Sequence, residues 1–374
     1  MNICLDLSPT VHRRAGIGRF TGELTQALLA LAPENTYTAL YNRAAEAQLA
    51  PPFDHLPRLA LPWGDKPWRL RVALAHLFRR PQDAHFRDVD LFHATDHLLP
   101  FFARIPSIFT LYDLTYLTTD THTTLNRLFL RLMMPHFLRQ AAAVITISES
   151  TRRDMLRYYA VAPAKCYVTH GGVDARFRPA SEAAIEAVRR QYGLPEQYIL
   201  AVGTIEPRKN YTTLLAAYHA LRDRHPGLRL VIVGKRGWRS EAFFQKLSEL
   251  GLEDQVLLPG YVADADLPAL YTAATVFAFA SLYEGFGLPI LEAMACGTPV
   301  VAGNTSALPE VVGEAGVLAP PQDVGALAAA LAALLDNAAL RADLCAKGVT
   351  QAQRFTWTQT AQATLQVYHQ VFGA

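Results

Sequence analysis

Long apolar runs are missing from this 374-residue chain. No stretch reaches the roughly 18–20 uninterrupted apolar residues that a membrane-spanning helix requires. The richest, Val324 to Leu335, is shorter, has a glycine near its start, and reads as an alanine-rich packed helix. Cysteine is equally scarce. Cys4, Cys166, Cys296 and Cys345 are scattered without metal-ligand or redox spacing, a pattern of reduced, mostly buried thiols in a cytosolic protein. No His/Cys cluster suggests zinc. A secretory leader is not in evidence either, since Met1 to Leu7 reads as a strand carrying an early acid. The basic residues form no stripe with interleaved stacking aromatics, so nucleic-acid binding finds no support.

What is present fits a globular enzyme. With 51% apolar and 18% charged residues, wholesale disorder is excluded, and the length suits two domains rather than one core. The net charge of +2 is unevenly spread: residues 1–178 carry 21 Lys/Arg against 15 Asp/Glu, leaving 14 against 18 for the remainder. A basic N-terminal half suits an anionic partner such as a phospholipid surface or a lipid-diphosphate acceptor, or is a solvated charged face.

The most informative stretch runs from Ser281 to Pro299, SLYEGFGLPILEAMACGTP. An apolar run, Val276 to Ala280, reads as a buried strand before it, and Pro289 suits the first position of a helix after it. Between them, Gly285 and Gly287 allow a tight turn and close ligand approach. Glu284 would sit at the mouth of such a site and Glu292 one turn inside the helix. A glycine turn and a helix N-terminus attract an anion, and a buried carboxylate accepts from neutral hydroxyls. A ligand that is part phosphate and part polyol fits, and a nucleotide-sugar is the obvious one.

E-G-F-G-L-P-x-x-x-E followed by A-x-x-x-G-x-P-V resembles the donor-site signature of the retaining GT-B glycosyltransferases of group 1, glycosyltransferase family 4. The resemblance implies two Rossmann-like α/β domains facing an interdomain cleft. Residues 1–178 would bind acceptor, 179–355 would bind donor, and a C-terminal helix, 356–374, would cross back to the first domain. It implies that Glu284 faces the sugar and reacting phosphate, as a nucleophile or an electrostatic partner, and that Glu292 binds the ribose. Gly285, Phe286, Gly287 and Leu288 would present backbone N–H groups to the diphosphate. A second match, G-T-x-E-P-R-K-N, begins at Gly203 and offers Arg208 and Lys209 as a diphosphate clamp, a planar fork beside a point charge. The loop of Pro259, Gly260, Tyr261 and Val262 would cradle the nucleobase through its backbone. That branch includes many mannosyltransferases of surface-polysaccharide assembly, so the resemblance implies mannose from GDP-mannose as donor and a glycan or lipid-linked acceptor. A nucleotide-sugar epimerase on the same scaffold and a non-catalytic partner subunit are the alternatives.

The N-terminal half contributes thinner motifs. After a strand at Ile3 to Leu7 and a loop at Ser8 to Arg14, Gly16, Gly18 and Arg19 open a helix through Leu31. In the family a similar loop lies near the donor phosphates. His93, Asp96, Tyr112 and Asp113 stand at the carboxyl ends of two further strands, where ligands gather in open α/β sheets. Asp113 would orient or deprotonate the acceptor hydroxyl. Tyr112 stands where many relatives carry histidine, and His93 either lines the cleft or is a satisfied buried histidine. Two segments, Trp68 to Arg80 and Asn126 to Arg139, interleave apolar residues with arginines. Each reads as an interfacial helix or as a packed helix with snorkelling arginines. Two D-x-D triplets, Asp88 to Asp90 and Asp264 to Asp266, fit plain loop and helix-start roles. No cofactor or metal is expected, and the expected location is cytoplasmic, with peripheral contact at the inner face of the membrane.

Overall fold

The computed structural model describes residues 1–12, 14, 16–42, 48–119 and 123–373. The chain divides into two units, Met1–Gly172 with Trp357–Ala374, and Val173–Thr356. The break falls at Gly172 rather than Arg178. The reason is that the Val173 N–H donates to the Phe355 carbonyl at 2.9 Å and Phe177 packs on Tyr271 at 6.0 Å, so residues 173–177 are bound into the second unit.

The first unit is a seven-stranded parallel sheet. Its strands are β1 (Asn2–Asp6), β2 (Thr36–Asn42), β3 (Arg58–Leu61), β4 (Leu91–Ala94), β5 (Ser107–Leu111), β6 (Ala143–Thr146) and β7 (Cys166–Val168), in the order β3-β2-β1-β4-β5-β6-β7. The second is a six-stranded parallel sheet of β8 (Tyr198–Val202), β9 (Arg229–Val233), β10 (Val256–Gly260), β11 (Val276–Phe279), β12 (Val300–Gly303) and β13 (Val317–Ala319), in the order β10-β9-β8-β11-β12-β13. Short runs rich in Val, Ile, Leu and Phe make central strands such as β9 and β11, as burial on both faces requires. In each sheet the order reverses once, between β1 and β4 and between β8 and β11. Ligands of open α/β sheets bind at the carboxyl ends of such neighbouring strands.

Several boundaries differ from those read in the sequence. The loop expected at Ser8 to Arg14 begins with a short helix, Ser8–Val11, because Pro9 suits a first turn. The helix expected from Pro289 starts at Leu288 with Gly287 as its cap. Pro259 and Gly260, expected in a loop, end β10, where the Gly260 carbonyl accepts from the Gly234 N–H at 2.9 Å. Val324–Asp336 is a helix with Leu327, Leu331 and Leu334 buried. Among the described residues no single helix is long and apolar enough to cross a membrane.

The C-terminal helix, Trp357–Phe372, belongs to the first unit. Trp357 meets Phe20 edge-on at 5.2 Å, and the Thr360 hydroxyl donates to the His170 carbonyl at 2.7 Å. Tyr368 pairs with His93 Nδ1 at 2.7 Å while Thr110 Oγ1 pairs with Nε2 at 2.7 Å. His93 is fully buried, and burial pulls its imidazole down to about 3. Both ring nitrogens are occupied, so the expected acceptor-side role is withdrawn and His93 is a satisfied core histidine. Tyr368→Phe leaves one of those nitrogens without its partner. It is expected to lower stability by about 1–3 kcal/mol, read by urea unfolding, with donor binding unaffected.

Candidate functional site

In the second unit the site grows from the ends of β8 and β11. After β8 the chain makes a short turn, Pro207–Lys209, then enters the left-handed region at Asn210 (φ 57°). Asparagine tolerates that conformation, and here its side chain explains the choice. Asn210 Nδ2 donates to the Ala280 carbonyl at 3.1 Å and the Pro321 carbonyl at 2.5 Å, tying together the loops after β8, β11 and β13. The turn thereby delivers Arg208 and Lys209 to Glu284. Arg208 Nη1 lies 2.5 Å from Glu284 Oε2, and Lys209 Nζ donates to Glu284 Oε1 at 2.7 Å. Arg208 is held from behind by Glu206 Oε1 at 2.8 Å and by the Tyr283 carbonyl at 3.0 Å. Lys209 Nζ also lies 4.5 Å from the centre of the Phe279 ring, and the Glu284 N–H donates to Ser306 Oγ at 2.9 Å.

Burial alone would raise the Glu284 carboxyl, but Arg208 and Lys209 outweigh it and hold it at about 2. Burial pulls Lys209 below its ordinary value, with the Arg208 guanidinium adding to the fall against the opposing effect of Glu284 and Glu206. The group is therefore an ionised cluster of two cations and two carboxylates. An anion that takes these cations from Glu284 must also give that buried carboxylate a new hydrogen-bond partner.

The other expected donor residues are placed as follows. Gly203 runs at φ +147°, and a Cβ there would stand 2.9 Å from Lys209 Cε; its lack of a side chain makes room for the lysine. Gly285 and Phe286 follow Glu284, with Phe286 buried edge-on to Phe355 at 5.7 Å. Gly287, at φ +122°, caps the helix that Leu288 begins. Glu292 is buried and accepts from the Tyr271 hydroxyl at 2.8 Å. Tyr261 is exposed, with Lys235 Nζ 5.2 Å from its ring centre, whereas the Val262 side chain is buried. Glu206, Asn210, Tyr271 and Ser306 were not singled out from the sequence. The first two lie inside the G-T-x-E-P-R-K-N string, and that was the signal available.

In the first unit a second charged group forms at the ends of β1 and β4. Arg14 Nη1 reaches both Asp96 oxygens at 2.7 Å, and Nη2 lies 3.6 Å from Asp65 Oδ1. Asp96 is buried; Arg14 overcomes the effect of burial and lowers its carboxyl. Asp6, also buried, has no arginine or lysine at hydrogen-bond distance among the described residues and accepts from the Ser8 N–H at 3.0 Å; burial and then Asp96 push its carboxyl up to about 7. Asp113 accepts from Thr115 N at 3.0 Å and Oγ1 at 2.6 Å, close to its own backbone. Tyr112 is corrected from an acceptor-facing residue to a structural one. Its buried hydroxyl donates to the Thr95 carbonyl at 2.9 Å and lies 3.1 Å from Thr21 Oγ1. Gly16 (φ +72°) precedes the Ile17–Leu31 helix that carries Arg19. A Cβ at Gly18 would fall 2.5 Å from the Pro9 carbonyl oxygen, so helix packing accounts for that glycine. Arg14 and Asp6 are the residues the sequence reading missed here.

Asp6 yields a pH test. An acid whose folded value lies near 7 against 3.8 contributes stability that is complete below 3.8 and lost as pH rises through 7. Asp6→Asn removes that loss. Melting temperatures should show the variant gaining on the native protein between pH 4 and 7 and levelling off above.

Comparison with known proteins agrees with this layout. Residues 184–350 match the family model of glycosyl transferases group 1, and residues 14–177 match that of Glycosyltransferase Family 4. The chain is 33% identical over 390 residues to the O-antigen chain mannosyltransferase B of Escherichia coli, covering 98% of this chain and 99% of that protein. Among solved structures, sucrose-phosphate synthase from Thermosynechococcus elongatus superposes with a TM-score of 0.79 at 24% identity, over 100% of this chain and 99% of the other. Anabaena HepE, in complex with UDP and glucose, does so at 0.75 and 21%, over 99% and 100%. The chain belongs to the group 1 glycosyltransferases of family 4, and its two parallel-sheet units are the GT-B fold.

Proposed function

We propose that this glycosyltransferase moves mannose from GDP-mannose to a hydroxyl of a glycan or lipid-linked acceptor in surface-polysaccharide assembly, with retention of anomeric configuration. The observation that carries the reading is the buried cluster of Arg208, Lys209 and Glu284 at the strand-order reversal of the second sheet. End-to-end similarity to an O-antigen mannosyltransferase supports the sugar, and the UDP and glucose held by Anabaena HepE support a nucleotide-sugar site on this fold.

Negative charge grows on the leaving diphosphate as the sugar–phosphate bond breaks. Arg208 and Lys209 stabilise it as fixed, partly desolvated cations, assisted by backbone N–H groups from Gly285 to Leu288. They supply the charge that a metal would otherwise bring, so no metal is required. Glu284, released from its cations by the incoming phosphate, faces the anomeric carbon as nucleophile or electrostatic partner. Glu292 takes the ribose hydroxyls, and the backbone around Tyr261 and Val262 takes the base. On the acceptor side, Asp113 and the Arg14–Asp96 pair orient the hydroxyl. The protein works in the cytoplasm, at the inner face of the membrane that carries its acceptor.

The experiment presents GDP-mannose or UDP-sugars with membranes bearing lipid-linked glycans, and reads released nucleotide and glycan mass. GDP-mannose should yield GDP and a mannosylated product, with the same rate in excess EDTA. Glu284→Gln should lower kcat by about 10²–10³-fold. Turnover with UDP-sugars alone would overturn the mannose assignment. Conversion of the donor to its epimer, with no glycan extended, would replace the transferase by an epimerase.

A further inference from the structure

The first unit carries an apolar, cationic face that the reaction does not use. On the Asp65–Leu77 helix and its end, Leu70, Leu74, Leu77 and Phe78 stand out from the surface at helical spacing. On the Thr124–Gln140 helix, Leu125, Leu128 and Leu132 do the same. These seven are between 42% and 81% exposed and make up more than half of the exposed large apolar side chains among the described residues. The two helices lie together: Arg69 Nη1 donates to Asn126 Oδ1 at 2.7 Å, and its guanidinium lies 5.5 Å from the Phe129 ring centre. Soluble proteins rarely leave so many large apolar groups on adjoining helices.

Charge narrows what could cover them. From Lys66 to Gln82 there are five Lys/Arg and no carboxylate, and from Thr123 to Ser148 three arginines and no carboxylate. A rim of one sign, interleaved with leucines, matches the anionic headgroups above a hydrocarbon layer.

A groove of about 660 Å³ opens on this face, lined by Trp63, Leu70, Arg71, Leu74, Phe78, Arg80 and Gln82 among others. Arg71 is pre-positioned, its guanidinium 4.4 Å from the Trp63 ring centre and its Nη2 3.0 Å from His85 Nε2. Gln82 is only 5% exposed, yet neither its Nε2 nor its Oε1 has a hydrogen-bond partner among the described residues. Burying an unpaired carboxamide is costly, and a turn of the Gln82 side chain toward the groove would let a ligand there supply the missing bonds.

We propose that this face docks on an anionic bilayer and that the groove seats the phosphate headgroup of one anionic phospholipid. Arg71, Arg80 and Gln82 take the headgroup, and Leu70, Leu74 and Phe78 lie along its acyl chain. This gives residues and a lipid chemistry to the peripheral contact named above. The donor site lies in the other unit and takes no part in the test, so failure here leaves the transferase reading standing.

The full chain is sedimented with vesicles of phosphatidylcholine alone and of phosphatidylcholine with phosphatidylglycerol. Binding should require phosphatidylglycerol and weaken with salt. Leu74→Glu or Phe78→Glu, both at exposed positions, should reduce it by about tenfold or more, and Arg71→Gln or Arg80→Gln by about fivefold each. Gln82→Leu should raise the melting temperature while weakening binding to the anionic vesicles. Equal binding to both vesicles, or full binding by the glutamate variants, would overturn the docking face. Unchanged binding by Gln82→Leu would overturn the headgroup groove. Self-association in vesicle-free buffer that Leu74→Glu abolishes would assign the face to a second copy instead.

Discussion

Burying Lys209 and Glu284 is tolerable only because each neutralises the other, with Arg208 and Glu206 completing the balance. An isolated charge at this depth would be neutralised or would unfold its surroundings. The arrangement therefore constrains the chain around it. Gly203 must lack a side chain beside Lys209, Asn210 must take a left-handed backbone and bind two carbonyls, and β8 and β11 must end together. The same requirement makes the cluster a good receptor. Its cations are already desolvated and oriented, so under the proposed function a diphosphate meets them with little reorganisation.

The two sheets repeat one device with different chemistry. Each reverses strand order once, and each gathers charge at that point: two cations around Glu284 in the second unit, one arginine among Asp6, Asp65 and Asp96 in the first. An end with two adjacent cations, Arg208 and Lys209, suits a diphosphate. A carboxylate-rich end suits sugar hydroxyls, which need acceptors, and a buried Asp6 with its carboxyl near 7 can hold or release a proton near neutrality. The proposed function divides donor and acceptor between the two units in the same way.

The fold was legible because parallel strands buried on both faces write themselves as short apolar runs, and helices such as Tyr211–Leu221 follow them. Glu284, Arg208 and Lys209 were legible because glycine and proline frame them at fixed distances. Partners that act through tertiary contact were not. Asp6 looked like an early acid in a strand, and nothing in its neighbourhood of sequence announces Asp96, ninety residues on, as the charge beside it. His93 shows the converse: its strand-end position invited a functional role, and only the 275-residue contact to Tyr368 reveals a core histidine. Gly18 likewise read as ligand approach and is required by the Pro9 carbonyl.

The central claim is that Arg208 and Lys209 pass from Glu284 to a donor diphosphate. Calorimetric titration with GDP, GMP and guanosine, on the native protein and on Arg208→Gln and Lys209→Met, tests it most directly. The account predicts that GDP binds more tightly than GMP or guanosine to the native protein, and that either substitution brings GDP down to the level of GMP while leaving guanosine unchanged. GDP affinity that survives both substitutions would place the diphosphate elsewhere and contradict it.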